Sequence, residues 1–563
     1  MSEANNQDRG NKPERLDRKA VSGEPMVWLS GMGLAIGLLL IIGLLGVIVW
    51  HGVPYFWPKR VVEVTVTPDT QLPGVEAKTF NGELRMQRLK ADGVTAESQF
   101  YLGNRDIYGF SFKFLNDSSI EKMSYPQGLI SIEREEYGGA IGYPVKLVLG
   151  NGSEIPAESD GFDGQLEELI DEVSQRRKDI KKLAKHKIGK VNDRLAELKF
   201  EEIEARKEYA EGSALLDSEL GGIEEERAKL EATYLKLEKE LNELYEEQEK
   251  DSLVYRLASG QETEMTLGKA IDFHYPNRLS FLERCLLFLS KLWVYLSEDP
   301  REANTEGGVF PAIFGTFVMT LLMSILVTPL GVIAAIYLRE YARQGLLVRS
   351  VRISVNNLAG VPSIVFGVFG LGFFIYIVGD GIDNLFFKTK AEEGVATFKT
   401  GGMLWASLTL ALMTIPVVVV ATEEALAAVP RGMREASLAC GGSKWQTIQR
   451  IVLPAALPGI ITGLVLAMAR GAGEVAPLML VGVVESANEL PVTGTFPFIH
   501  MDQKFMHLGF QIYDLGFQSP DSEAARPIAF ATALLLIVLV VVLNLAAIII
   551  RQRLRRKYIS STF

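Results

Sequence analysis

Apolar and polar positions along this chain fall into three textures. Long apolar runs span Val27 to Trp50, Val309 to Leu338, Val355 to Val378, Met403 to Ala421, Pro458 to Val484 and Ile528 to Ile550. Each is near or above the roughly 20 residues that cross about 30 Å of hydrocarbon, so six transmembrane helices are expected. Between the first and second runs the texture changes. From about Arg60 to Ile155, stretches such as VVEVTV, YGFSFKF and GYPVKLVL are separated by Gly, Pro, Asn and Asp, which predicts the strands of a small β domain. From Leu166 to about Lys250 the sequence is charged, and its apolar positions recur every three or four residues. Leu216, Leu220, Ile223, then Leu230, Tyr234, Leu237, Leu241 and Leu244 form a heptad seam. Gly212 and the pair Gly221-Gly222 interrupt it where two antiparallel helices can turn, predicting a coiled-coil hairpin over about 162–250. At about 1.5 Å per residue its length is roughly 50 to 70 Å. Strand-like sequence (SLVYRL, EMTLGKAIDF) resumes over 251–275, so the hairpin is expected to be an insertion in a β domain built from about 60–158 and 251–275.

Basic residues set the direction of the spans. The first run is long, lacks a small-residue cleavage pattern and is followed by HGVPYFWPKR, so it reads as a retained anchor. Arg9, Lys12, Arg15, Arg18 and Lys19 precede it; Arg339, Arg343, Arg349 and Arg352 follow the second run; Arg431, Arg434, Lys444 and Arg450 follow the fourth; RQRLRRK follows the last. With six spans all four clusters fall on one side, which predicts cytoplasmic tails at 1–26 and 551–563 and an outside insertion at 51–308. FLERCLLFLSKLWVYL, within about 279–297, is short and carries Glu283, Arg284 and Lys291. It reads as an amphipathic helix at the outer surface rather than a seventh span.

Composition narrows the function classes. The mean hydropathy of +0.15 averages apolar runs with a charged insertion. A formal charge of -11 argues against a general nucleic-acid binder. The two cysteines, Cys285 and Cys440, fall on opposite sides of the membrane, so no intramolecular disulfide is expected. The five histidines show no metal-ligand spacing, and no metal site is expected. No phosphate-cradling G-x-x-x-x-G-K-[ST] is present: Gly189-Lys190 is followed by Val191, and Gly268-Lys269 by Ala270. No enzymatic constellation stands out in the insertion, which reads either as a solvated spacer or as a docking post for an outside partner.

Two stretches carry chemistry. EEALAAVPRGMREASLACGGSKWQTIQRIVLPAALPGI reads as helix, glycine turn, helix, with Gly441-Gly442 stopping the first helix and Ser443 and Gln446 forming a capping box for the second. Leu453-Pro454 and Pro458 are expected to end that helix and begin the next span. Such a cytoplasmic hairpin exposes Leu438, Trp445 and Ile448 unless something covers them. In MARGAGEVAPLML, Arg470 and Glu474 are four apart and share a helix face. An unpaired arginine near the bilayer centre costs about 2.5 to 3.5 kcal/mol, so such residues usually face a bundle interior or a watery path. A planar guanidinium binds an oxyanion in a two-pronged way, although a salt bridge that only fixes packing is the alternative. Gly471 and Gly473 allow close approach beside the pair, and Pro477 loosens the outer half. Pro362 and Ser363, in AGVPSIVFG, break a helix inside the third span, giving either a cavity-lining hydroxyl at Ser363 or a packing kink.

The cytoplasmic hairpin resembles the EAA loop of ABC-type import permeases: E-A-A, three residues, Gly, nine residues, Ile, one residue, Leu-Pro. Glu435, Ala436, Ser437, Gly441, Ile451, Leu453 and Pro454 fall at those spacings, with Ser437 in place of the third Ala. GGVFPAIFGTFVMTLLMSILVTPLGVIAAIYLREYA, NNLAGVPSIVFGVFGLGFF and the stretch around Arg470 are similar to the PstA family of permease subunits of bacterial phosphate importers. The resemblance covers about 305–484 and the last span, not the insertion. It implies an α-helical membrane protein of six transmembrane helices with a type I ABC importer permease core over 309–550, enlarged by the periplasmic β domain and its coiled-coil hairpin. It implies that the EAA loop, about 422–456, couples to a separate ATPase, and that Arg470 and Glu474 lie at the translocation path. It further implies a non-enzymatic inner-membrane subunit that binds no cofactor, ATP being bound by an ATPase dimer (PstB-like). The other implied partners are a second permease (PstC-like) and a periplasmic phosphate-binding protein (PstS-like). Another oxyanion such as sulfate or molybdate is an alternative cargo. A transmembrane sensor would need a cytoplasmic signalling domain after its second span, where only a short loop follows.

Overall fold

The computed structural model describes residues 25–67, 78–90, 93–487, 490–492 and 498–559. The basic cluster from Arg9 to Lys19 lies outside them. Among the described residues six helices are long and apolar enough to cross a membrane: Val27–Tyr55, Phe310–Tyr341, Ser363–Phe386, Met403–Ala428, Lys444–Ala472 and Ser522–Arg553, spans 1 to 6.

Spans 2, 4 and 5 pack through small side chains, as helices without a hydrophobic drive between them do. The buried face of span 2 runs Ala312, Gly315, Thr316, Met319, Thr320, Met323, Ser324, Val327, Gly331. Its hydroxyls are satisfied internally: Thr316, Thr320, Ser324 and Thr328 each donate to the carbonyl four residues back. A Cβ on Gly331 would come within 2.6 Å of Val418, and one on Gly459 within 2.5 Å of Ala425, so span 4 lies directly against both neighbours. At its outer end span 3 is pinned by buried Asp383, which accepts the backbone N–H groups of Thr397, Phe398 and Lys399 at 2.8–3.1 Å.

One expected helix end is corrected and one expected break is found. Pro454 and Pro458 do not end the helix after Ser443: it runs on into span 5 through a π turn at Ile448–Val452. That wider turn sits one residue before Pro454, where the missing N–H would otherwise interrupt the ladder. The third apolar run is divided at the expected place, with helix Leu346–Leu358 ending before Pro362 and a new helix starting at Ser363. Val355 lines a pocket with Val419 and Val420, while Gly370 packs on Thr409, so the break lies level with the middle of span 4.

Outside the membrane stands a β domain of two antiparallel sheets. β1 (Val61–Val66), β2 (Thr79–Leu89), β3 (Ala96–Tyr101), β4 (Phe112–Asn116) and β5 (Ile120–Ser124) run in the order β4-β3-β2-β1-β5. β6 (Ile130–Arg134), β7 (Ala140–Val148), β8 (Glu154–Pro156), β9 (Ser252–Arg256), β10 (Glu262–Thr266) and β11 (Ala270–His274) run β10-β9-β7-β6-β11, with β8 on β7. Alternating valines of β1 join Phe80, Phe100, Ile132, Leu147 and Tyr255 in one core. Because β9 pairs with β7 and β11 with β6, the helical hairpin between β8 and β9 is an insertion in the second sheet. Where the chain leaves the domain, the Asn277 side chain accepts from the Val61 N–H (3.2 Å) and donates to the Val61 and Pro126 carbonyls (both 2.8 Å).

The hairpin's first arm runs Phe162–Glu208 with a π turn at Leu183–Ile188, and its second is Ala214–Gln248. Gly212, at φ 77°, makes the turn; Gly221 and Gly222 lie inside the second arm. The base of the first arm is packed by Leu166, Ile170 and Val173 into the β core. The tip reaches the loop after span 3, where Thr389 donates to Glu204 (2.9 Å), Lys207 pairs with Glu392 and Lys390 lies over the Phe200 ring.

The β domain is tied to the membrane core at two further places, through Gln99 to Glu523 (2.8 Å) and through the segment entering span 2, where Arg105 meets Glu302 (2.8 Å). In that segment Glu306 is largely buried, and its Oε2 finds no hydrogen-bond partner among the described residues. Burial first, then nearby Glu133, pushes its carboxyl up to about 7.

Candidate functional site

The fifth span is broken where its charged pair lies. The helix ends at Ala472, the Gly473 and Glu474 N–H groups fold back to the carbonyls of Arg470 and Gly471, and a new turn starts at Ala476 with Pro477 in its first positions. Two close approaches hold this break: a Cβ on Gly471 would meet the Met323 sulfur of span 2 at 2.5 Å, and one on Gly367 would meet Pro477 at 2.7 Å. The restarted halves Ser363–Phe369 and Ala476–Val481 therefore lie side by side, each following an interruption in the membrane. Interrupted helices are tolerated at that depth where they line a protein-enclosed or watery cavity.

Arg470 Nε lies 3.5 Å from Glu474 Oε1, and the two side chains are 35% and 21% exposed. That separation is longer than a charge-assisted hydrogen bond of about 2.7–2.9 Å. No hydrogen bond to another described residue ties the guanidinium down. Toward the span ends away from the β domain, an open groove of about 550 Å³ runs between spans 4, 5 and 6, lined by Glu424, Gly459, Thr462, Leu466, Ala469 and Asn544. Of the three residues expected at the path, Arg470 and Glu474 come together. Ser363, half-buried, opens the span 3 helix and has no hydrogen bond to either among the described residues.

At the ends of the spans opposite the β domain, helix Arg431–Ala439, a turn at Gly441 (φ 83°) and the Ser443–Gln446 capping box form a compact hairpin. Glu435, Ala436, Leu438, Gly441 and Trp445 are exposed; Ser437, Ile451, Leu453 and Pro454 are half-buried. Ile448, expected on the open face, instead turns inward onto Ile336, Leu426 and Val452, because the π turn rotates it toward the spans. Ser437 is engaged by Thr447 (2.8 Å), which closes the hairpin.

Two arginines that the sequence offered only as topology markers hold this hairpin to the spans. Arg434 donates to the carbonyls of Leu426 and Val429 (both 2.7 Å), capping span 4, and to Glu340 at the end of span 2 (2.9 Å). Arg352 bridges the same two ends from helix Leu346–Leu358, meeting Glu423 (3.1 Å) and the Leu338 carbonyl (3.3 Å). A carboxylate two residues past the end of each apolar run, Glu340 and Glu423, was the available signal for these partners.

The profile of a family described as "Binding-protein-dependent transport system inner membrane component" matches residues 327–558. A Mycobacterium tuberculosis protein named "Phosphate transport system permease protein PstA 1" is 38% identical over 260 residues, which are 46% of this chain and 75% of that protein. "Phosphate transport system permease protein PstA" of Yersinia pestis is 32% identical over 260 residues, 46% of this chain and 77% of its own length. The chain belongs to the PstA-type family of inner-membrane transport permeases. It is thus a multi-pass inner-membrane protein, and a permease of this family works with an ATPase and a binding protein. The family profile begins at residue 327, inside span 2, so the β domain and its hairpin stand outside it.

Proposed function

We propose that this chain is the membrane-spanning permease subunit of an ATP-driven phosphate importer, with both termini cytoplasmic. The observation that carries the reading is the Arg470–Glu474 pair at the break of span 5, above an open groove, in a chain whose relatives are named phosphate transport permeases. The partially exposed guanidinium offers two-pronged donors to an oxyanion. Glu474 holds it in place between turnovers and accepts a hydrogen bond from the proton that phosphate retains near neutral pH and sulfate lacks. Ser363 contributes a hydroxyl to the same path.

The exposed face of Glu435, Ala436, Leu438 and Trp445 docks into a PstB-like ATPase dimer. Arg434 and Arg352 pass its movement to the joined ends of spans 2 and 4. A PstC-like permease supplies the other half of the path, and a PstS-like periplasmic protein delivers the phosphate. The test is uptake of radiolabelled phosphate by cells lacking this subunit, restored with the intact chain or with Arg470→Gln at matched membrane levels, with excess sulfate present. Sulfate-resistant uptake with the intact chain alone supports the cargo and the arginine. Equal rescue by both makes Arg470 a packing residue, and no rescue by the intact chain beside its partners moves the cargo to another oxyanion.

A further inference from the structure

Helix Phe281–Ser297 joins the β domain to span 2 and uses its circumference in three distinct ways. Its N-terminus is fixed by a capping box between Ser280 and Glu283. One face, Phe288, Leu292 and Tyr295, packs on Phe56 after span 1, Val309 before span 2 and Ile528 of span 6. Tyr295 is also hydrogen-bonded to Thr532 of span 6 (2.7 Å). The helix is therefore held level with the outer ends of three spans. A second face carries its two cations toward the β domain: Arg284 donates to the carbonyls of Pro276 and Leu279, and Lys291 acts electrostatically on Asp272 and His274 of β11.

The third face is apolar and open. Leu282, Leu286, Leu289 and Trp293 form a stripe at i, i+4, i+7 and i+11, each more than half exposed. At 3.6 residues per turn this stripe lies about 180° from Arg284 and Lys291. A helix whose charged side turns to an outside domain, and whose depth is set by the outer ends of three spans, points its opposite side into the bilayer. Trp57, packed on Phe281 and Phe288, continues the aromatic edge at the same level. We infer that Leu282, Leu286, Leu289 and Trp293 insert into the acyl region of the outer leaflet, making this helix a lipid-seated platform on which the β domain stands. Span 1, whose described side chains are exposed almost throughout, gives the stripe a contiguous lipid-facing neighbour.

The test uses the full chain with its partner subunits in lipid nanodiscs, with Cys285→Ala and Cys440→Ala removing the native thiols. A bimane label is placed on Leu286→Cys or, separately, Leu289→Cys, so that a poorly folding variant does not decide the outcome, with Leu235→Cys on the hairpin as the aqueous reference. Lipids bearing a nitroxide on the acyl chain are expected to remove most of the emission at 286 and 289 and little at 235, and aqueous iodide to do the reverse. Iodide quenching at 286 and 289 as strong as at 235 would overturn the inference. So would protection from both quenchers, which places a protein partner over the stripe.

Discussion

Two helical hairpins stand on opposite faces of this membrane protein, and they turn by the same chemistry. Outside, Gly212 at φ 77° is followed by Ser213, whose side chain accepts the Leu216 N–H; inside, Gly441 at φ 83° is followed within two residues by Ser443, which accepts the Gln446 N–H. Their surfaces differ. The outer hairpin's seam from Leu230 to Leu244 is half-covered, its base is buried in the β core, and its tip rests on the loop after span 3. The inner hairpin leaves Leu438 and Trp445 about half exposed, while Arg434 bolts its root to two spans. A surface held by its own chain at both ends transmits little, whereas one anchored at its root and open at its tip is built to be pushed.

That contrast can be broken in graded ways. The largest effect is expected from Leu438→Asp with Trp445→Asp, which removes an apolar anchor of about 2 to 4 kcal/mol from the proposed ATPase contact, roughly a 30- to 700-fold weakening. Co-purification of the ATPase and phosphate uptake should both collapse at unchanged membrane levels. Next, Arg434→Ala strands the partly buried Glu340, at a cost of about 2 kcal/mol after allowing for solvent. ATP hydrolysis should persist while uptake falls, and adding Glu340→Gln should restore part of it. Third, the Glu306 carboxyl is raised from its ordinary value of 4.5 to about 7. The folded state therefore holds a proton that the unfolded state has released, and this contribution is present below 4.5 and lost as pH rises through 7. Thermal stability of the wild type relative to Glu306→Gln should fall across that window, and a pH-independent difference would rule the effect out. Smallest is the turn itself: Gly212→Ala and Gly441→Ala each cost about 1 kcal/mol in a left-handed conformation. Melting temperature should drop slightly in both, but uptake should suffer only in the second.

Much of this was legible in the sequence because it is written as periodicity. The apolar runs located the spans, and the three-and-four seam located the second arm, whose seam positions are its less exposed ones. The glycine pair Gly221-Gly222 misled because an arm packed along one side tolerates a poor helix former, whereas a reversal needs the positive φ that Gly212 provides. Pro454 misled because a π turn just before it accommodates the lost donor, and no residue pattern announces such a turn; Pro458 sits inside the helix that follows. Arg470 and Glu474 were visible because charge is expensive in hydrocarbon. Arg434 and Arg352 lie where basic residues are abundant, and only their contacts with distant carbonyls and carboxylates set them apart.

The hydrogen bonds between Asn277 and Val61 have a consequence for engineering. Because the β domain and hairpin begin and end at one point, lifting out everything between these two residues as a cassette leaves one short gap for a linker, at the cost of the side-chain ties to Glu302, Glu523 and the loop after span 3. The lipid-seated helix and the spans would keep their entry points. A membrane core carrying such a cassette can exchange its outside attachment once those few ties are replaced.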